Sequence, residues 1–185
     1  MDALPKLVRA WAKEFGSFDG LVHSAGLYTN RPLRAVRSKE LINLMSVNAF
    51  AGVMLAKGLS LAGSTSEQGG SAVFLSSVLG QVGQAGVVGY CMSKGAVEQA
   101  VKSLAIELRK DKIRVNAIVP ASIATPMTEA GFGKLSDDMK DNLMRMHPSG
   151  WGEPDDVAAA AIYLLSSASS FVTGASLRAI IGAIK

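Results

Sequence analysis

Cysteine and histidine are scarce in this sequence, and their scarcity argues against two kinds of site. Among 185 residues there is one cysteine, Cys91, and there are two histidines, His23 and His147. A single thiol cannot form an intramolecular disulfide and is typical of a reducing compartment, so we expect a cytoplasmic protein. Zinc is bound mostly by cysteine and histidine, so we expect no metal site.

Charged residues and long apolar runs are also few. Charged side chains make up 18% of the chain and apolar ones 49%, whereas a typical soluble domain has about 25% charged residues. This composition excludes intrinsic disorder and favours elements buried on both faces, as in a parallel sheet beneath helices. Because no run of about 18 uncharged apolar residues is present, we expect no membrane span.

The excess of positive charge is small and uneven. The net charge is +4, with 14 basic and 8 acidic residues in residues 1–115 but 5 and 7 in residues 116–185. The densest basic run comprises Arg31, Arg34, Arg37 and Lys39. This run has no interleaved aromatic residues, so a solvated surface is the simpler interpretation and we expect no nucleic-acid partner.

Helix and strand patterns alternate along the chain. Apolar residues at helical spacing predict helices over about 4–15, 39–61, 90–110 and 155–166. Short apolar runs predict strands near 18–22, 72–75, 113–119 and 175–181. This alternation predicts an α/β fold with a parallel sheet, formed by one domain over residues 1–185. Residues 126–153 are polar and methionine-rich, with a short helix predicted after Ser136.

Tyr90 and Lys94 form the first candidate catalytic pair. They lie four residues apart at the start of a predicted helix and therefore share one face. A phenol with a pKa of about 10 is a poor acid–base catalyst at neutral pH. A neighbouring ammonium favours the phenolate and makes the pair a candidate proton donor and acceptor. The alternative is an ordinary helix surface, because this spacing also occurs by chance.

Two further polar residues precede this pair. Ser77 ends a predicted buried strand, where its hydroxyl could donate to a carbonyl oxygen at the carboxyl edge of the sheet, the edge at which open α/β sheets bind ligands. Asn48 lies within a long predicted helix, although an amide is a mediocre helix former. A structural role is the alternative for Asn48.

In order and spacing, Asn48, Ser77, Tyr90 and Lys94 resemble the catalytic tetrad of the short-chain dehydrogenases/reductases. Similar matches to family motifs occur at residues 16–26, 75–80, 114–120, 152–158 and 171–174. The chain departs from the family at His23-Ser24, which replace two asparagines, and at Ala121, which replaces a glycine. The resemblance implies a three-layer, Rossmann-like, doubly wound parallel sheet, similar to that of 3-oxoacyl-carrier-protein reductases.

The resemblance also implies a role for each tetrad residue. Tyr90 would exchange a proton with the substrate oxygen, and Ser77 would fix the substrate carbonyl. Lys94 would lower the pKa of Tyr90 and hold the nicotinamide ribose. Asn48 would hold a water that links Lys94 to solvent.

A second group of residues would bind the cofactor, which the resemblance implies to be NAD or NADP. Its members are Gly26, Tyr90, Lys94, Pro120, Ile123 and Thr125. Residues 126–153 would form a lid over a small-molecule carbonyl or alcohol substrate. The residues that choose between NAD and NADP would follow a strand that this sequence does not contain.

One part of the family pattern is missing from these 185 residues. The family starts with a strand, a glycine-rich turn and a helix, whose backbone N–H groups bind the cofactor pyrophosphate. The first helix here is similar to the one before the family's fourth strand. We therefore expect a truncated sheet without the first three strands, in which the strand at 18–23 is an open apolar edge.

Three interpretations follow from a complete tetrad beside a missing cofactor turn. The chain is an oxidoreductase that transfers a hydride between a nicotinamide cofactor and a carbonyl or secondary alcohol. Alternatively, it is a non-catalytic interaction protein that oligomerises through its two long helices, as a dimer or tetramer. The third interpretation is a decayed gene product without function. Binding of the cofactor separates the first from the other two.

Overall fold

The computed structural model describes residues 1–133, 136–145 and 150–179. Its α-helices are α1 Leu4–Phe15, α2 Ser38–Met45, α3 Ala51–Leu59, α4 Val88–Glu107, α5 Pro126–Phe132, α6 Asp137–Arg145 and α7 Pro154–Leu165. Its strands are β1 Gly20–His23, β2 Gly70–Leu75, β3 Ile113–Pro120 and β4 Ser176–Ala179.

The four strands form one sheet in the order β1-β2-β3-β4, and every neighbouring pair is parallel. The register places Leu21 beside Ala72 and Val73 beside Asn116. Consecutive strands are joined by connections that contain helices, which is what parallel pairs require. The predicted parallel α/β sheet is therefore confirmed, and β1 lies at an edge of it.

Helices cover both faces of the sheet. On one face, a core packs side chains of β2 and β3 against α3 and α4; it includes Ala56, Phe74, Val97, Val101 and Val115. On the other face, Val73 and Ile118 pack with Leu164 of α7. Alternate residues of β2 thus point to opposite helical layers, as strand geometry dictates. This confirms the expected doubly wound arrangement.

The long helix predicted over 39–61 is interrupted at its centre. Between α2 and α3, residues Ser46–Phe50 form one π-helical turn. A π turn within an α-helix occurs frequently at functional sites, and this one contains Asn48. The interruption has no signal in the apolar periodicity on which the sequence prediction rested.

This same helix, Ser38–Leu59, is long and apolar enough to cross a membrane by length and composition alone. Its mean hydropathy over the most apolar window is 1.3. Leu44, Ala56 and Leu59 are buried in the fold, and core helices of globular proteins also reach such hydropathy. The absence of a membrane span stays a prediction from the sequence.

Some predicted boundaries differ from the observed ones. Helix α5 was not predicted, and it begins at Pro126 behind the side-chain cap of Thr125, which accepts a hydrogen bond from the Thr128 N–H. The last strand was predicted over 175–181, but residues 180–185 lie outside the described part of the chain, as does His147.

Close packing of α1 on α3 depends on a glycine. A Cβ built on Gly58 would lie 2.7 Å from Cβ of Val8 and 3.0 Å from Cα of Pro5. The two helices therefore approach too closely for a side chain at this position. This contact holds α1 beside the layer that supports β1.

We expect Gly58→Ala to lower the free energy of unfolding by about 1–3 kcal/mol, because α1 must move to admit the methyl group. The gain in helix propensity, about 1 kcal/mol, offsets only part of this loss. Urea unfolding followed by circular dichroism measures the effect. Gly83→Ala is the matched control, since nothing lies within 4 Å of its Cβ position. Equal midpoints for the two variants would contradict the expectation.

Candidate active site

The predicted tetrad gathers at the carboxyl edge of the sheet. Ser77 follows the end of β2, and Tyr90 and Lys94 lie in the first turns of α4. Asn48 comes from the π turn of the long helix. Gly26 follows β1, and a Cβ built on it would lie 3.7 Å from Nζ of Lys94 and 3.8 Å from Oδ1 of Asn48.

Tyr90 and Lys94 share one face of α4, as their spacing predicted. The ammonium of Lys94 lies 5.6 Å from the centre of the Tyr90 ring, within the range of a cation–π contact. Its Nζ also donates to the carbonyl oxygen of Leu75 at 2.7 Å. Burial raises the pKa of the Tyr90 hydroxyl, and the neighbouring Ser77 side chain lowers it through hydrogen bonding. Tyrosine, serine and lysine therefore form one contiguous polar group.

Asn48 is fully buried, and its amide joins two parts of the site. Its Oδ1 accepts from the Leu27 N–H at 2.7 Å, and its Nδ2 donates to the Leu27 carbonyl at 2.9 Å. The same Nδ2 donates to Oγ of Ser93 at 2.9 Å, and Ser93 Oγ donates to the Tyr90 carbonyl at 2.8 Å. The amide thus ties the segment after β1 to the first turns of α4.

These contacts give Asn48 a structural function beside the role implied by the family resemblance, which stays a prediction. Both N–H donors of its amide bond to protein atoms, at Leu27 and Ser93. The side chain therefore has no N–H left to hold a water, although Oδ1 keeps one acceptor position. Asn48 joins the backbone at Leu27 to the start of α4. Ser93, which the sequence pattern did not single out, completes this link.

Burial dominates the titration of Lys94. Desolvation lowers its pKa from 10.5 to about 8, because the low-dielectric interior disfavours the ammonium. The side chain is 5% exposed and has one carbonyl, not a carboxylate, as its hydrogen-bond acceptor in the described residues.

The expected lowering of the Tyr90 pKa by Lys94 stays a prediction, and the structure adds an effect of opposite sign. Burial raises the pKa of Tyr90, and the hydrogen bond with Ser77 only partly offsets it. Burial also lowers the pKa of Lys94, to about 8, so burial opposes the charged form of both side chains. The spacing of the two residues was informative, but it contained nothing about their burial.

A second buried network supports the helix start from beneath. Ser76 Oγ donates to the Lys94 carbonyl at 3.0 Å and lies 3.1 Å from Oε1 of Glu98. Oε2 of Glu98 accepts from Nε2 of Gln81 at 2.7 Å. A Cβ on Gly80 would lie 2.8 Å from the Lys94 carbonyl carbon. The loop after β2 is therefore held against α4 at the turn that bears Lys94.

His23 is the last residue of β1 and not part of a loop. Its side chain is buried and packs against Phe74, with 5.9 Å between ring centres. Burial lowers its pKa, as does the nearby charge of Lys94, while the Val47 backbone raises it. Gly52 makes room for the imidazole, because a Cβ there would lie 2.9 Å from Nδ1.

Pro120, Ile123 and Thr125 lie at or beyond the end of β3, at the same edge of the sheet. Ile123 forms a parallel bridge with Gly152, and Ala124 N–H donates to the Gly152 carbonyl at 2.8 Å. These hydrogen bonds close the base of the predicted lid, residues 126–153. The lid contains α5 and α6, although residues 134–135 and 146–149 lie outside the described part of the chain.

The residues present fit one end of a nicotinamide cofactor. Leu75 takes one of the three N–H donors of the Lys94 ammonium; within the described part of the chain the other two have no protein acceptor. These donors can bind ribose hydroxyls. Gly26 leaves open the space beside Lys94 and Asn48 that a side chain would fill. The glycine-rich turn that binds pyrophosphate is not among these 185 residues.

Two other features of the described residues lie outside this site. No cluster of three or more histidine, cysteine, aspartate or glutamate side chains there could hold a metal ion. A cleft of about 510 Å³ lies at the opposite edge of the sheet, beside Asp19, Gly70 and Ile113. Arg114 in this cleft donates to the Ser169 hydroxyl and to three carbonyls of residues 165–172, so its guanidinium is used to tie the fold together.

Comparison with known proteins agrees with this geometry. The profile of a protein family described as enoyl-(acyl carrier protein) reductase matches residues 1–182. 3-Oxoacyl-[acyl-carrier-protein] reductase of Haemophilus influenzae is 31% identical over 177 residues, which are 95% of this chain and 71% of that protein. This chain belongs to the short-chain dehydrogenase/reductase family.

Other relatives within the family differ in their named substrates. Carbonyl reductase family member 4 of Xenopus laevis is 38% identical over 160 residues, covering 86% of this chain and 64% of the relative. The crystal structure of gluconate 5-dehydrogenase from Burkholderia cenocepacia with NADP and tartrate superposes with a TM-score of 0.88 at 26% identity. It covers 98% of this chain and 71% of that one. The chain thus spans about two thirds of the length of the relatives it matches.

We expect the free energy of unfolding to rise with pH because of Lys94, whose pKa is about 8 in the fold against 10.5 for an unperturbed lysine. In that window the unfolded state binds more protons, so raising the pH favours the folded state. At about 1.4 kcal/mol per unit, the gain between about pH 8 and about pH 10 is roughly 2–3 kcal/mol.

Urea unfolding of the natural chain and of Lys94→Met at both pH values measures this gain. The variant has no ammonium to desolvate, while the tyrosines and other groups titrate alike in both proteins. The stability difference between the two proteins should therefore change with pH in favour of the natural chain. A difference independent of pH would show that the Lys94 pKa is not lowered.

Proposed function

We propose that this chain is an NAD(P)-dependent oxidoreductase that transfers a hydride between the nicotinamide and a carbonyl or secondary alcohol carbon. The observation that supports it most is the contiguous group formed by Ser77, Tyr90 and Lys94 at the carboxyl edge of a parallel sheet. Ligands of open α/β sheets bind at this edge. The substrate would be a small-molecule ketone or alcohol, in accordance with the relatives named as carbonyl and 3-oxoacyl reductases.

The roles of the side chains follow from their contacts. Burial raises the pKa of the Tyr90 hydroxyl, which is therefore protonated at neutral pH. It can then donate this proton to a carbonyl oxygen that gains negative charge during reduction. Ser77, which lies beside the same phenol, would supply a second donor to that oxygen. Two such donors stabilise the developing alkoxide.

Lys94 and Asn48 prepare this pair for the reaction. Lys94, held by the Leu75 carbonyl, would bind ribose hydroxyls and keep positive charge beside the Tyr90 ring. Asn48 keeps the start of α4 and the segment after β1 at a fixed distance through Ser93 and Leu27. The nicotinamide, when bound, supplies the hydride acceptor or donor. Ile123 and Thr125 would face its carboxamide and phosphate side beneath the lid.

A specific observation also favours an interaction surface on the long helices. Large apolar side chains stand exposed on their outer sides: Ile42, Phe50, Met92 and Ile106. Ile106 is 79% exposed. Apolar patches of this kind mark protein–protein contacts. We infer that the chain forms a dimer or tetramer through these helices in the cytoplasm, whether or not it is catalytic.

The enzymatic proposal predicts NAD(P)H oxidation by the purified chain with small ketones, and a loss of about 10²-fold or more in kcat for Tyr90→Phe. Tyr163→Phe on α7 is the matched control and should leave kcat unchanged. Thermal unfolding with NADH and with NADPH tests binding separately, since a ligand at 100 times its Kd adds about 2.7 kcal/mol. A folded chain that shows no turnover and no thermal shift with either cofactor would overturn the proposal.

The interaction surface predicts a defined oligomer in light scattering. Ile106→Glu should convert it to a smaller species, because a buried carboxylate at the contact costs more than the contact contributes. Leu33→Glu is the control, since Leu33 is similarly exposed but lies before α2. A monomeric natural chain would argue against this surface.

A further inference from the structure

Tyr28 contacts the candidate catalytic tyrosine directly, although it is not part of the tetrad. The rings of Tyr28 and Tyr90 meet nearly edge to face, with 5.0 Å between their centres and an angle of 76° between their planes. Aromatic pairs in this geometry attract each other beyond the effect of the area they bury. The ring of Tyr90 is therefore restrained by an aromatic partner from outside its own helix.

The segment that bears Tyr28 is itself held on both sides. Before it, both backbone groups of Leu27 bond to the buried amide of Asn48. After it, the Arg31 N–H donates to the Gly86 carbonyl at 2.6 Å, and the Arg31 guanidinium pairs with Glu40 at 3.0 Å. The backbone at Tyr28 cannot move away from Tyr90 without disturbing one of these anchors.

The tip of the Tyr28 side chain has a polar neighbour as well. Burial raises the pKa of Tyr28, and the neighbouring Asn30 side chain lowers it through hydrogen bonding. The Asn30 amide packs against Gly86, where a side chain would collide with it and where φ is +82°. The left-handed backbone and the missing Cβ of Gly86 thus leave space for the residue that orients Tyr28.

We propose that Tyr28 is a positioning residue for Tyr90: its ring restrains the phenol beside Ser77 and shields it from water. For turnover this rests on the proposed function, but the restraint itself exists without cofactor or substrate. The charged or titratable groups that face Tyr90 are Tyr28, Cys91 and Lys94. Burial by its neighbours is the main cause of the raised pKa of Tyr90, so removal of the Tyr28 ring should let the phenol ionise more easily.

The chain allows a direct spectroscopic test because it has three tyrosines, Tyr28, Tyr90 and Tyr163. In a Tyr163→Phe background, replacing Tyr28 by phenylalanine or by leucine leaves Tyr90 as the single tyrosine. Its ionisation is then read from tyrosinate absorbance, with circular dichroism at each pH to show that the fold persists. Phenylalanine keeps the ring contact, and leucine removes it.

We expect Tyr90 to ionise at a pH lower by roughly one unit in the leucine protein than in the phenylalanine protein, since water reaches the phenol. Equal ionisation curves would overturn the proposal. The fold control is Leu33→Ala in the same loop, placed in the phenylalanine protein, which should leave the curve unchanged. If either protein unfolds before Tyr90 ionises, the comparison is repeated at the highest pH that both tolerate, on the fraction of tyrosinate.

Turnover provides a second measurement. If the chain reduces ketones, Tyr28→Leu should lower kcat about tenfold or more with little change in KM, because a misplaced proton donor affects the chemical step. Tyr28→Phe should restore most of kcat. A chain with no turnover would contradict the proposed function, whereas the ionisation comparison would still decide the role of Tyr28.

Discussion

The buried amide of Asn48 holds together the elements that the site needs. It comes from the single π turn of a long helix, accepts and donates hydrogen bonds to Leu27, and reaches α4 through Ser93. An unpaired amide in this position would cost about 1–3 kcal/mol in lost hydrogen bonding. The positions of Gly26 and Tyr28 on one side, and of Tyr90 and Lys94 on the other, depend on this one side chain.

Burial decides the electrostatics of the site. Lys94 enters a pocket whose protein acceptor is a carbonyl, so desolvation is not compensated by an opposite charge and its pKa falls to about 8. Burial acts on Tyr90 as well, and its pKa rises. The phenol therefore holds its proton at neutral pH, which suits a proton donor in carbonyl reduction. A ligand that brings charge to this pocket would alter both groups together.

The fold supports the site from two directions. Networks through Ser76 and Glu98 fix the loop after β2 on α4, and the hydrogen bonds between 122–124 and Gly152 fix the base of the lid. Helix α7 covers the opposite face of the sheet. In contrast, within the described part of the chain β1 has a neighbouring strand on one side only. Its strand pairing and the packing of α1 on Gly58 together hold the segment that bears Gly26 and Tyr28.

The sequence by itself determined the alternating elements, the parallel sheet and the tetrad positions, because periodicity and spacing are local properties that a chain displays directly. Helix α5, the π turn at Asn48 and the contact between Tyr28 and Tyr90 were decided only by tertiary structure. The direction of the Tyr90 pKa belongs to the same group. Each depends on which distant segments meet and how much water they exclude, and neither distance nor burial is written in the spacing of residues along the chain.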